Sequence, residues 1–237
     1  MGIPIKIPAP YIMPWMIQAL RLRLPEAIWE VPNDSKKVCL TFDDGPGRFT
    51  PDLLDVLKSE NVQATFFTVG TRAEKYPEIL RRAQSEGHLI ALHTYRHRNI
   101  KKLGQEKLRQ DLRRSRELVS RLLDIRDPGH IWYFRPPHGS CTPGLLRVLE
   151  SEKIRTVMFG IVPGVQLMPR GWRELPEQTC RRILREVKTG SIIALHDGEY
   201  IRETDNIFDC DHVAETAGLL IHRLKALGYG FTTPNFF

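Results

Sequence analysis

The sequence predicts an α/β protein built on about seven parallel strands, arranged as a distorted (β/α) barrel, and three observations lead there. From residue 37 onward, short runs rich in β-branched and aromatic residues alternate with longer amphipathic ones. The chain has 237 residues, 41% hydrophobic and 27% charged, enough to bury a sizeable core. Four of the strand candidates run directly into turn formers and titratable side chains, as expected where loops leave the carboxyl ends of parallel strands.

Residues 1–36 precede this pattern and form a Pro-rich arm. The stretch through Pro32 holds six of the 17 prolines and has no helical or strand period. It is expected to pack as an extended arm across the domain, with a short helix near Trp15 to Leu24; a membrane-surface anchor is the lesser alternative. Its prolines interrupt any signal-peptide core and no small-residue cleavage site follows, so the default expectation is the cytoplasm, with cell-envelope association as the alternative. No stretch reaches the roughly 18 to 20 consecutive apolar residues that a spanning helix needs, so no transmembrane segment is expected.

Residues 37–237 then read as one domain. Strands are expected at 37–42, 63–70, 88–93, 131–135, 154–160, 191–196 and 228–233, on their β-branched and aromatic content. Helices are expected at Pro51–Ser59, Tyr76–Glu86, Gln105–Asp124, Thr142–Ser151, Glu177–Lys188 and His212–Leu227. In the third of these, Leu108, Leu112, Val119 and Leu122 make an apolar stripe and arginines occupy the rest of the surface. That explains much of the net charge of +7 as a solvated face. No zinc finger, helix-turn-helix or aromatic RNA-binding signature accompanies it, and no nucleic-acid partner is expected. The four cysteines, Cys39, Cys141, Cys180 and Cys210, form no C-x-x-C pair and are expected as buried free thiols.

The residues that follow the strands carry the chemistry. They are Asp43-Asp44-Gly45-Pro46 after the first, His93 through His97 after the third, Arg135 through Gly139 after the fourth, and His196-Asp197-Gly198 after the sixth. One rim collects all four groups. In a continuing strand Asp43 and Asp44 would point to opposite faces; the Gly-Pro turn ends the strand and lets both reach the rim. Two carboxylates so close resist ionising unless a cation lies nearby. His93 and His97 supply imidazoles, and two histidines with one carboxylate leave positions open for water and substrate, as in a catalytic zinc-type site.

In this order, "TFDDGP", "HTYRH", "RPPHG" and "LHD" resemble the motifs of the NodB-type polysaccharide deacetylases, carbohydrate esterase family four. The resemblance covers the chain from about residue 37 and implies a NodB-like catalytic domain over 37–237. It implies metal-dependent removal of acetyl groups from N-acetylated sugars or polysaccharides, peptidoglycan- or chitin-like, with O-acetyl esters also within its reach. By this resemblance Asp43 is the base acting on a metal-bound water and His196 the general acid. Arg135 holds the base, and Asp44, His93 and His97 bind one divalent metal, zinc first, with cobalt, nickel or iron as alternatives. Leu195 would wall the acetyl methyl, and His138 and Trp172 would contact substrate. The partner implied is an acetylated carbohydrate; oligomeric state is not implied.

The resemblance breaks in two places. His138 stands where the family more often has an aromatic residue. The family's fourth motif, whose Asp orients the acid histidine, should follow "TVMFG", but no carboxylate occurs between Lys153 and Glu174. Asp197, Asp209 and Asp211 are candidate replacements. The gap keeps a second reading open, a metal-containing carbohydrate-binding protein with weak or no deacetylase activity.

Overall fold

The computed structural model describes residues 14–162, 175–198, 200–201, 207–208 and 210–234. After α1 (Pro14–Arg23), the strands β1 (Lys37–Asp43), β2 (Thr65–Thr68), β3 (Leu89–Leu92), β4 (Trp132–Phe134), β5 (Ile154–Thr156) and β6 (Ile192–His196) pair in parallel, in the order β5-β4-β3-β2-β1-β6. The connections are helical: α2 (Thr50–Ser59), α3 (Gly70–Lys75), α4 (Pro77–Ser85), α5 (Gln105–Leu123), α6 (Pro143–Ser151) and α7 (Pro176–Glu186). A short antiparallel ladder of β7 (Tyr200–Ile201) and β8 (Ile207–Phe208) follows β6. Then α8 (Val213–Ala226) leads to β9 (Gly230–Thr232), which pairs with the start of β1 and completes a seven-stranded sheet.

Strand alternation sorts the core into two layers. On β1, Val38, Leu40 and Phe42 join the large cluster packed under the helices, with Leu53, Leu54 and Leu57 of α2 and Leu220, Ile221 and Leu224 of α8. Cys39, one position out of phase, joins Phe67, Ala91, Tyr133, Val157 and Ile192 in a smaller cluster on the inner face. Strands buried on both faces are largely apolar, as parallel sheets favour.

The curved sheet closes through irregular segments. The Ile28 N–H donates to Thr156 O and the Met158 N–H donates to Ile28 O, both at 2.8 Å. The Gly160 N–H donates to Ile192 O at 2.9 Å and the Ala194 N–H to Ile161 O at 2.9 Å, bringing the chain after β5 onto β6. The end of the N-terminal arm is therefore part of the wall. Trp29 is buried there, and its indole N–H donates to Leu24 O at 2.9 Å.

Several elements differ from the sequence expectation. The strand expected over 63–70 is Thr65–Thr68, because the chain turns at Gly70 into α3, a helix the apolar pattern does not mark. The Gly70 and Thr71 N–H groups leave the ladder to bond Thr94 O (3.0 Å) and Tyr95 O (2.9 Å). The strand expected over 154–160 ends at Thr156 for the same kind of reason, its continuation being taken up by the closure bonds. On α5 the buried stripe includes Leu118 and Leu123, while Leu122 is only half-buried. The cysteines are free thiols, three buried and Cys210 half-buried.

Trp29→Ala should destabilise the protein by about 3–5 kcal/mol, the range for deleting a buried aromatic side chain. Chemical denaturation monitored by circular dichroism measures it.

Candidate active site

The inner face carries the site. Cys39, Ala91, Tyr133 and Ile192 lie inside the barrel, and stepping two or four residues along each strand gives Asp43, His93, Arg135 and His196 on that same face. The register aligns them: Asp43 is paired with His196 across the β1–β6 ladder, and Leu92 with Phe134 across β3–β4. Asp44 follows Asp43 but would point away if the strand continued. It does not continue: Asp44 has φ 73°, and Gly45-Pro46 behind it is a cis peptide. The left-handed backbone turns Asp44 back to the rim beside Asp43.

Asp44, His93 and His97 offer ligand atoms that all lie within 4.8 Å of one another. Asp44 Oδ1 is 3.2 Å from His93 Nε2 and 2.9 Å from His97 Nε2. His93 Nδ1 lies 2.7 Å from Arg135 O, which can only accept, so Nδ1 carries a proton and Nε2 is the atom turned toward Asp44. Among the described residues, no contact to the buried Asp44 Oδ1 has the geometry of a full hydrogen bond, although both imidazoles are this close. A buried carboxylate oxygen facing two imidazole nitrogens calls for a shared proton or a cation between them. A carboxylate with two imidazoles, one fixed by a main-chain carbonyl, is a donor set that fits a divalent transition metal. Without a cation the protons redistribute. Burial alone would raise Asp44, yet the charge of His97 and the hydrogen bonds from His93 and His97 hold it well below the usual carboxylate range. Burial opposes a charged His97, and Asp44 overcomes it and raises the imidazole.

Arg135 is fully buried and spends its guanidinium on four acceptors. Nη1 donates to Asp43 Oδ1 (2.6 Å) and to Thr41 Oγ1 (2.7 Å), Nη2 to Met158 O (2.9 Å), and Nε to Val157 O (3.4 Å). Its face lies 4.0 Å over the Phe67 ring. A buried cation with this many partners fixes the orientation of the Asp43 carboxylate.

Asp43, His93, His138 and His196 line a small pocket together with Pro136, Gly139, Phe159, Val162 and Ala194. The residue of β6 that shares this face with His196 is Ala194; Leu195, expected from sequence as the acetyl wall, packs on the outer face in the main core. Period-two alternation decides this, since a strand residue next to His196 must point the other way. His138 is exposed at the mouth, its ring 4.7 Å from that of His97. Desolvation of the inner part of that ring, with the charge of His97 adding to it, pushes His138 down to about 4, so it stays neutral at pH 7. Gly139 has φ 60° and a Cβ there would meet Phe159 Cζ at 2.7 Å, so this turn requires glycine. Trp172 and Asp209 lie outside the described residues. His88, a neighbour of the motif in sequence, is a core histidine whose Nδ1 accepts the Ala64 N–H at 3.2 Å.

Asp197 takes a role the sequence did not disclose. Its carboxylate is buried, and Oδ2 accepts the Thr50 hydroxyl at 2.7 Å while Thr50 Oγ1 accepts the Gly47 N–H at 2.8 Å. The Asp197 N–H donates to Asp43 O at 3.1 Å. This ties the end of β6 to the Asp-Asp-Gly-Pro turn and the start of α2. Burial pushes Asp197 up to about 7 against the Thr50 bond, with the charges of Asp44 and Asp43 adding to the rise. Asp211 lies 3.3 Å from His212.

Comparison with known proteins gives the family. Residues 30–157 match the polysaccharide deacetylase family. A peptidoglycan-N-acetylglucosamine deacetylase of Bacillus cereus is 31% identical over 207 residues, 86% of this chain and 89% of that protein. A chitooligosaccharide deacetylase of Azorhizobium caulinodans is 32% identical over 171 residues, 71% of this chain and 77% of that one. The crystal structure of a peptidoglycan N-acetylglucosamine deacetylase superposes with a TM-score of 0.74 at 28% identity, covering 88% of this chain and 90% of the other.

A Cβ at Gly198 would collide with the main-chain oxygen of Asp44, and backbone cannot yield as a side chain can. Gly198→Ala should therefore cost about 1–3 kcal/mol of stability, the usual overpacking range, and weaken divalent-cation binding at the same time. Thermal unfolding and zinc competition titration together check this.

Proposed function

This chain belongs to the polysaccharide deacetylase family and is a carbohydrate deacetylase, and we propose that it removes the N-acetyl group from N-acetylglucosamine units of a peptidoglycan- or chitin-like glycan, with one divalent cation held by Asp44, His93 and His97. One observation supports this above the others. The inner face brings Asp43, fixed by Arg135, level with His196 across the β1–β6 ladder and beside the Asp-His-His cluster. Zinc is the cation the donor set suits best.

A cation bound there supplies Lewis acidity toward the acetyl carbonyl and lowers the pKa of a water toward neutrality. Asp43 is the residue placed to accept a proton from an attacking water; its Oδ1 is held by Arg135, which keeps the carboxylate aimed at the pocket. The Arg135 to Gly139 loop closes the pocket beside the attacked carbonyl. A main-chain N–H of this loop stabilises the developing oxyanion there. His196 protonates the departing nitrogen, since an amine leaves poorly as an anion. Arg135 orients without taking or giving a proton.

A second reading, a carbohydrate-binding protein with little turnover, draws support from one observation. Asp197, the acidic residue adjacent to His196, turns its carboxylate to Thr50. The fourth motif's carboxylate has no counterpart in the sequence between Lys153 and Glu174.

Acetate release from N-acetylglucosamine oligomers and acetylated xylan, by metal-stripped protein re-supplied with zinc or cobalt, separates the two readings. We expect metal-dependent release, and Asp43→Asn should lower kcat by about 10²–10⁴-fold, the range for a lost general base. Zinc affinity should stay within a few-fold, because Asp43 is not a ligand. Tight zinc binding without any turnover would favour the binding protein.

A further inference from the structure

The loop between the two histidine ligands is held in a costly conformation. Thr94 has φ 64° and His97 φ 54°, both left-handed and neither glycine. Such backbone persists only where its surroundings over-determine it. The Thr94 and Tyr95 carbonyls are met by N–H groups at the start of α3. The Tyr95 hydroxyl donates to Glu74 Oε2 at 2.6 Å, and the Arg114 guanidinium covers its ring at 3.5 Å. The main-chain N–H of Tyr95, midway between His93 and His97, donates to Asp111 Oδ1 at 2.8 Å.

We propose that Asp111, on α5 and outside every motif, is a positioning residue for the metal site, its carboxylate anchoring the backbone between the two histidine ligands. This rests on the reading of Asp44, His93 and His97 as the metal site. The chemistry of the contact is specific. Asp111 acts here as an acceptor for one N–H at a fixed distance, so an asparagine, whose Oδ1 sits in the same place, can replace it. Asp111 also faces the charges of Arg98 and Arg114. If neutralising those were its purpose, asparagine would fail as badly as alanine.

Asp111→Ala, Asp111→Asn and Asp111→Glu in the full chain make the test, read by zinc affinity in a chelator competition, the visible absorption spectrum of the cobalt-loaded protein, thermal unfolding without metal, and kcat and KM for acetate release. We expect Asp111→Ala to weaken zinc binding by about 10–100-fold, the usual effect of removing support behind a metal ligand. The cobalt spectrum should change and kcat fall, with KM nearly constant. Asp111→Asn should recover most of the affinity and the wild-type spectrum. If Asp111→Ala does not fold, Asp111→Glu carries the test: it keeps the charge but moves the acceptor by one methylene, and it should bind zinc more weakly than Asp111→Asn. Wild-type zinc affinity and spectrum in folded Asp111→Ala overturn the proposal, as does an Asp111→Asn as defective as Asp111→Ala. A wild-type protein that binds zinc but releases no acetate sinks the deacetylation reading alone, and the affinity comparison still decides Asp111. A wild type that binds no divalent cation overturns both.

Discussion

A fully buried arginine sets the terms for this site. Arg135 sits inside the barrel, where an uncompensated guanidinium would cost several kcal/mol, so four acceptors must converge on it. Those acceptors come from β1, through Thr41 and Asp43, and from the chain after β5, through the Val157 and Met158 carbonyls. Thr41 Oγ1 in turn donates to Ile193 O on β6 at 2.8 Å. The main-chain oxygen of Arg135 also fixes the His93 tautomer. One residue thereby couples Asp43, His93 and the closure of the barrel.

The second constraint is the pair of adjacent acids. Side chains on successive strand residues diverge, and the proposed chemistry needs both carboxylates at one place. The left-handed backbone at Asp44 resolves the conflict locally, and the structure around it pays in space. Gly45 has no room for a Cβ beside the Asp197 carboxylate, and Gly198 has none beside the Asp44 carbonyl. The motif's glycines are there for close approach of β1 and β6 at the rim, and Asp197 with Thr50 locks that approach.

Much of this was readable in advance because parallel strands deliver their reactive groups at one end. The alternation of elements gave the fold class, and the residues following four strands gave the site. Three things were not readable. Helix α3 is only six residues long and is initiated by hydrogen bonds to the loop between His93 and His97, so it has no apolar period of its own. Ala194 rather than Leu195 follows from period-two alternation only with His196 held on the inner face, as its pairing with Asp43 across the β1–β6 ladder shows. Asp197 and Asp111 each act through a contact distant in sequence, with Thr50 147 residues and Tyr95 16 residues away, and no spacing rule links them.

The sequence by itself determined the layered α/β class, the order of strands and helices, and the identity of the acids, histidines and arginine at the strand ends. These are local matters, set by periodicity, turn chemistry and residue type. The tertiary structure alone decided which face of each strand is inside, how the arm and the segment after β5 close the wall, and which buried groups hold the site in shape. Those depend on register and on contacts between elements far apart in the chain, where a one-residue slip would turn every side chain of a strand to the opposite face.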